Sequence, residues 1–276
     1  MDRLGWAVGA SFSCFGVRIG LRANTEQGLT LVRSWLPKAA KAGRAVLVNA
    51  LYSYVEGGPD TRAGTRRFHL LYRDGTRLVR SLEIDEVRRA FDRDLSMTVG
   101  ATASDRIFVH AGVVSFKAGA ILIPGKSFSG KTTLVRALVD QGGVYYSDEY
   151  AVLDSRGRVF PWAEPLSIRS RGPLEPGRPR SAEDLGLKVG RRSLPVRMVV
   201  LTTFHDGARF RPRRVSRAAG ALGMLEHTLP AQSRPKAALR AIASAVSGAR
   251  VIRGPRGDAH EAARAIVRAF EPNPVS

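Results

Sequence analysis

The sequence predicts an α/β protein, with a phosphate-loop domain over residues 101–276 and a small α+β unit before it over residues 1–100. Three observations carry that expectation. An apolar strand (Ala120 to Ile123), a glycine-rich loop and a helical run (Thr132 to Gln141) follow one another without a break. A short strand, Val144-Tyr145-Tyr146, comes next and ends in acids. Upstream, strand and helix patterns alternate around a tight Asp-Gly turn.

Taken in order, residues 11–22 alternate apolar and polar from Phe15 onward and read as one half-buried strand. Asn24-Thr25-Glu26 offers capping side chains to a helix carrying Leu29, Leu31, Val32 and Trp35, which Pro37 stops. Ala45 to Val55 is a β-type run. Arg67 to Tyr72 and Thr76 to Leu82 flank Arg73-Asp74-Gly75, a hairpin whose Asp-Gly supplies the positive φ. A helix from Ile84 sets Val87, Ala90, Phe91 and Leu95 on one face. Ile107 to Val114 and Ala120 to Ile123 are strands around a Lys117-Ala118-Gly119 turn. Gly157 to Arg180, with prolines at 161, 165, 173, 176 and 179, reads as a long surface loop. Arg197 to Phe204 is another strand. Two amphipathic helices close the chain: one after Pro235 with Leu239, Ile242 and Val246, and one capped by Asp258 three residues before Glu261.

Composition narrows the function classes. The 276 residues are 44% hydrophobic and 25% charged, a globular balance that excludes a disordered or collagen-like chain. The single cysteine, Cys14, excludes a disulfide framework and a cysteine-cluster metal site. No apolar run is long enough to span a bilayer and no signal peptide is expected, so a cytoplasmic, non-membrane protein is anticipated. Seven lysines and 37 arginines against 24 acids give +20. That surplus fits either a polyanionic partner or the codon usage of a GC-rich genome. With no helix-turn-helix, RNA-binding aromatic motif or zinc pattern, nucleic acid is not the expected partner.

Gly125-Lys126-Ser127-Phe128-Ser129-Gly130-Lys131-Thr132 matches G-x-x-x-x-G-K-[ST] at every fixed position, with Thr133 next in the helix. The chemistry asks for these residues. Glycines let backbone N–H groups close around a phosphate chain, and the helix adds its partial positive charge. The lysine reaches the β- and γ-phosphates, and the threonine hydroxyl can ligate Mg²⁺. ATP and Mg²⁺ are therefore the expected ligands. Asp148 lies 17 residues after Lys131, one helix plus one strand away, so Ser147-Asp148-Glu149 brings carboxylates from the next strand to that metal. His110, at the end of the preceding strand, faces the same cleft or is a satisfied core residue.

The run His110-Ala111-Gly112-Val113, the loop from Gly125 to Thr132, and Ser147-Asp148-Glu149 together resemble the HPr kinase/phosphorylase superfamily, especially its divergent HPr kinase-related members, with kinases of serines in ribosomal peptide natural products as the closer analogy for the acceptor. The resemblance spans roughly residues 85–270 and is specific over 107–153. It implies a phosphoenolpyruvate-carboxykinase-like kinase domain that transfers the γ-phosphoryl group of ATP to a serine hydroxyl of a protein or peptide. It also implies that Asp148 is the catalytic acid accepting the hydroxyl proton, Glu149 the second acid near the metal, and Lys131 and His110 further catalytic residues. Thr132, Asp148 and Glu149 would be the metal ligands, and a homo-oligomer is compatible with it. Three departures stand out. The second acid is Glu rather than Asp, and only Arg169-Ser170-Arg171-Gly172 weakly matches the Glu-x-Arg-Gly signature of the bifunctional enzymes. Their Pro-Gly-Arg-Asn element has no clear match, so neither phosphorylase activity nor HPr itself as substrate is expected.

The arginines at 169, 171, 178, 180, 191 and 192 read as a solvated basic stretch, with Arg169 singled out for an acidic acceptor or the transferring phosphate because it follows the apolar Pro165 to Ile168 run. Residues 1–100 are assigned substrate or partner docking. Two other readings stay open: a kinase of a small hydroxylated metabolite such as free serine, and a nucleotide-binding regulator without chemistry.

Overall fold

The computed structural model describes residues 5–59, 66–117, 119–126, 129–163, 166–168, 178–182 and 184–270. It is a mixed α/β structure that divides into two compact units, Met1–Ser104 and Asp105–Ser276.

The first unit contains β1 (Val8–Cys14), β2 (Val17–Ala23), α1 (Glu26–Ser34), β3 (Lys41–Gly43), β4 (Ala50–Val55), the short pair β5 (Gly58–Pro59) and β6 (Arg66–Arg67), β7 (His69–Arg73), β8 (Thr76–Ser81) and α2 (Ile84–Thr102). Its six-stranded sheet runs β3-β1-β2-β4-β7-β8, with β2 and β4 parallel and the other neighbours antiparallel. Residues 11–22 do not form one strand. The chain reverses at Phe15 (φ 47°) and Gly16 (φ 79°), so the alternation belongs to a hairpin whose second arm buries Val17, Ile19 and Leu21. The run at 45–55 is strand only from Ala50; Val46 and Leu47 are 95% and 74% exposed. The Asp74-Gly75 turn, the Thr25 cap on the Gly28 amide (2.9 Å) and the α2 face of Val87, Phe91 and Leu95 form as the pattern predicts.

The second unit carries the motifs. It contains β9 (Ile107–Phe116), β10 (Gly119–Pro124), α3 (Lys131–Asp140), β11 (Val144–Ser147), β12 (Tyr150–Leu153), β13 (Arg158–Phe160), β14 (Leu166–Ile168), β15 (Arg178–Arg180), β16 (Leu194–Phe204), β17 (Arg213–Arg214), α4 (Arg217–Leu225), α5 (Pro235–Ser247), β18 (Arg250–Arg256) and α6 (Ala259–Phe270). An eight-stranded mixed sheet lies between two helical layers. Alternate residues of β9 show how: Ala111 and Val113 pack with Met224, Ala241 and Ile242 of α4 and α5, whereas Val114 packs with Leu134, Val135 and Ile266 of α3 and α6. No helix among the described residues is long and apolar enough to cross a membrane.

Three expectations for this unit change. The segment from Gly157 is not simply a surface loop: β13 joins the sheet, Trp162 is buried at 1% exposure, and β14 pairs with β15; residues 164–165 and 169–177 lie outside the described residues. In α5 the buried face is Ala238, Ala241, Ile242, Ala245 and Val246, and Leu239 is 52% exposed. Helix α4 and strand β18 were not anticipated. The Asp258 cap does form, its carboxylate accepting from the Glu261 amide at 2.7 Å.

Gly112 sets the seat of α3 on the sheet. A Cβ at this position would stand 2.5 Å from Cγ2 of Val135, a β-branched side chain with little rotamer freedom. Gly112→Ala is therefore expected to destabilise the protein by about 1–3 kcal/mol through overpacking, read as a lower urea midpoint at unchanged slope. An unchanged midpoint would show that α3 has slack against β9.

Candidate functional site

Three adjacent strands bring the motif residues to one level. On one side of β9 the ladder with β10 pairs Ile123 with Gly112 and Pro124 with Ala111, and the Gly125 amide continues it by donating to the His110 carbonyl (3.1 Å). On the other side β11 and β12 both run antiparallel to β9, from Val144↔Ser115 to Leu153↔Ile107. They are thus two halves of one line of chain, with a register shift between Tyr145 and Ser147 and bends at Asp148 and Glu149. The acids thus follow directly on the end of β11, as the sequence suggested, and the chain then resumes as β12. They sit in a kink between two strands that pair with the same partner, where the Ala111 amide still donates to the Glu149 carbonyl (3.0 Å). His110, by contrast, lies inside β9 rather than at its end, opposite Tyr150.

The loop closes over this level. Gly130 caps α3 with φ +77°, a left-handed conformation that favours glycine. Gly125 is buried, Lys126 exposed, Ser129 and Gly130 half-buried, and Thr133 exposed; Ser127 and Phe128 lie outside the described residues, as does Arg169. Lys131 is only 6% exposed. Its ammonium donates to the Lys126 carbonyl across the loop at 2.8 Å and stands 3.3 Å from His110 Nε2. Burial holds its pKa below the usual lysine value, and Glu149 and Asp148 partly oppose that shift.

The two acids occupy different environments. Asp148 is buried, its Oδ2 accepting from the Thr132 hydroxyl and its Oδ1 from the Tyr145 hydroxyl, each at 2.8 Å. Burial raises its pKa to about 6, the neighbouring Glu149 adds to the rise, and the two hydroxyls oppose it. The Glu149 side chain is 43% exposed and its Oε2 lies 2.8 Å from His110 Nε2. One ring nitrogen serves one partner at a time, so when Nε2 donates to Glu149 it has no lone pair for Lys131. Oxygen donors at Thr132 and Asp148 suit Mg²⁺, which keeps several waters and needs only one or two protein carboxylates. A cluster of three or more His, Cys, Asp or Glu poised to bind metal is absent among the described residues.

The structure thus gathers His110, Lys131, Thr132, Asp148 and Glu149. It also adds groups that sequence reading missed. A cavity of about 590 Å³ opens beside His110, lined by Glu226, His227, Thr228 and Gln232 among others. The His110 amide donates to the His227 carbonyl at 2.7 Å. Burial lowers the His227 pKa and Glu226 counters it, while His110, Lys131 and Lys126 lower it further, so its imidazole lies within the field of the loop cations. Arg256, at the end of β18, donates from Nη2 to the Ser129 carbonyl at 2.8 Å. No sequence signal marks the cavity residues, which follow an unanticipated helix. No protein-family model matches the sequence, and no curated protein matches it.

The buried carboxyl has a consequence for stability. Asp148 titrates near 3.8 in an open chain and at about 6 in the fold, so the folded state binds more protons between those values and loses stability as pH rises through them. By neutral pH that cost amounts to a few kcal/mol. Asp148→Asn, which cannot ionise, is expected to melt several degrees above the wild type at pH 8 and to converge with it near pH 4. Equal melting temperatures at pH 8 would mean that the carboxylate is fully compensated where it sits.

Proposed function

We propose that residues 105–276 form a phosphoenolpyruvate-carboxykinase-like phosphate-loop kinase, of the HPr kinase/phosphorylase type, that uses ATP and Mg²⁺ to phosphorylate a serine hydroxyl of a protein or peptide. The first unit serves acceptor or partner docking in this reading. One observation carries it: the motif threonine donates to Asp148, and the buried motif lysine lies in the field of Glu149 and Asp148. A glycine-rich turn without such partners would have no use for two carboxylates beside a buried ammonium.

The roles follow from the environments. Thr132 and Asp148 would hold Mg²⁺, which would supply charge neutralisation at the phosphates. Lys131, released from the Lys126 carbonyl, turns to the phosphate oxygens. The resemblance gives proton acceptance to Asp148, but it is only 3% exposed and each of its oxygens already accepts from a hydroxyl. The exposed Glu149, with His110 on the cavity wall, is better placed to take the proton of an entering hydroxyl. The cavity at Glu226–Gln232 then receives the acceptor, and the reaction is mostly positioning and electrostatics.

The test is transfer from γ-labelled ATP with Mg²⁺ to serine peptides and to free serine. Lys131→Ala is expected to lose at least about a hundredfold in rate. Asp148→Asn and Glu149→Gln are each expected to lose about 10²–10⁴-fold, with raised Mg²⁺ restoring part of the activity only in the former. The reverse pattern would return the proton to Asp148. If no acceptor is labelled and Lys131→Ala binds ATP as well as the wild type, the kinase reading falls.

A further inference from the structure

Arg256 is a buried cation without an anion. It is 2% exposed, its Nε has no hydrogen-bond partner, and no acid pairs with it among the described residues. Desolvation alone lowers its pKa, whereas Lys131 has Glu149 and Asp148 for compensation. A guanidinium in that setting is costly unless an anion joins it. Its position is fixed on several sides. The Arg256 carbonyl accepts from the His205 amide at 2.8 Å, the Phe204 ring lies 5.8 Å from the guanidinium, and Nη2 reaches the Ser129 carbonyl.

That last bond acts on the loop. A peptide unit is planar and trans, so its C=O and the following N–H point in opposite directions. Fastening the Ser129 carbonyl to Arg256 therefore aims the Gly130 amide the other way, away from Arg256. The approach is close: a Cβ on Gly130 would stand 2.6 Å from Nη2, so glycine is required here for space as well as for φ.

Resting on the phosphate-loop reading above, we infer that Arg256 is a positioning residue for nucleoside polyphosphates: it orients the Ser129–Gly130 peptide of the loop and keeps behind it a positive charge that the phosphates of the bound nucleotide neutralise. It acts through the loop backbone and the field, without touching the reacting atoms.

The experiment is calorimetric binding of ATP, ADP and AMP, with Mg²⁺, to the full-length wild type, Arg256→Gln and Arg256→Lys across a salt series. Glutamine keeps a donor and removes the charge, so ATP affinity is expected to fall about ten- to a hundredfold, ADP affinity less and AMP affinity least, with a shallower salt slope. Lysine keeps the charge and is expected to hold ATP within about fivefold of the wild type. A purely structural role would lower all three affinities alike and give no rescue by lysine. That result, or unchanged ATP binding in Arg256→Gln, overturns the inference and leaves the kinase reading intact. If the wild type binds no ATP, both fall. Should Arg256→Gln not fold, Arg256→Lys decides: an ATP loss beyond about fivefold, or equal losses for ATP and AMP, counts against the inference.

Discussion

An ammonium group that is almost wholly out of water is the constraint on which this site turns. Lys131 can stay buried at the start of α3 because Glu149 and Asp148 lie in its field and the Lys126 carbonyl accepts a hydrogen bond from it. The acids in turn tolerate burial unequally. Asp148 is held by two hydroxyls and still titrates near 6, while Glu149 keeps contact with solvent through its exposed face. Losing either hydroxyl donor would leave the buried Asp148 carboxylate without its counterpart, which costs more than the bond itself contributes. The loop, the helix start and the kinked strand are coupled through that balance.

The sheet supplies the geometry that makes the balance possible. Strand β9 has the loop strand on one edge and the acid-bearing line on the other, so a single register relates Gly125, His110 and Glu149. Because side chains alternate along a strand, a one-residue slip would send His110 to the opposite face, among the α5 contacts. The register shift near Tyr146 is part of this device. It lets the upper half of the line follow β9 under α3 while the bend below presents Asp148 and Glu149. Gly112 completes it by letting α3 settle close enough for Lys131 to reach His110.

Much of this was legible in the sequence wherever a local signal existed. The phosphate-loop spacing, the apolar strand before it and the acids 17 residues on need no tertiary information to be found. The failures came where tertiary packing overrides a local rule. Ser147-Asp148-Glu149 reads as a strand end, and β11 does stop there; what no local signal shows is that the chain resumes at once as β12 on the same partner strand. Helix α4 was invisible because Gly220 and Gly223 argue against a helix. Gly220 is needed for close approach, since a Cβ there would stand 2.7 Å from Cγ2 of the β-branched Val251. Strand β18 was not anticipated, and Gly254-Pro255 argue locally against a strand. The short β17 pairs only as far as Arg253, which leaves Pro255 at an edge position where no amide is required.

Arg256 was lost for a further reason, which bears on how the basic surplus of this chain should be read. In a sequence with 37 arginines one more carries no information, and composition offers two equal explanations for all of them. Burial separates them. Arginines in solvent cost little and can follow codon usage, whereas one that is buried, unpaired and fastened to a loop carbonyl is retained against a desolvation penalty. The same reasoning applies to the net charge. A field of +20 draws any polyanion to the surface, but it does not distinguish a triphosphate from nucleic acid. Discrimination requires the cations that have lost their water, and among the loop residues and their neighbours those are Lys131 and Arg256. One faces the carboxylates across the loop and the other stands behind it, so together they define where an anion can sit more narrowly than the whole of the exposed surplus.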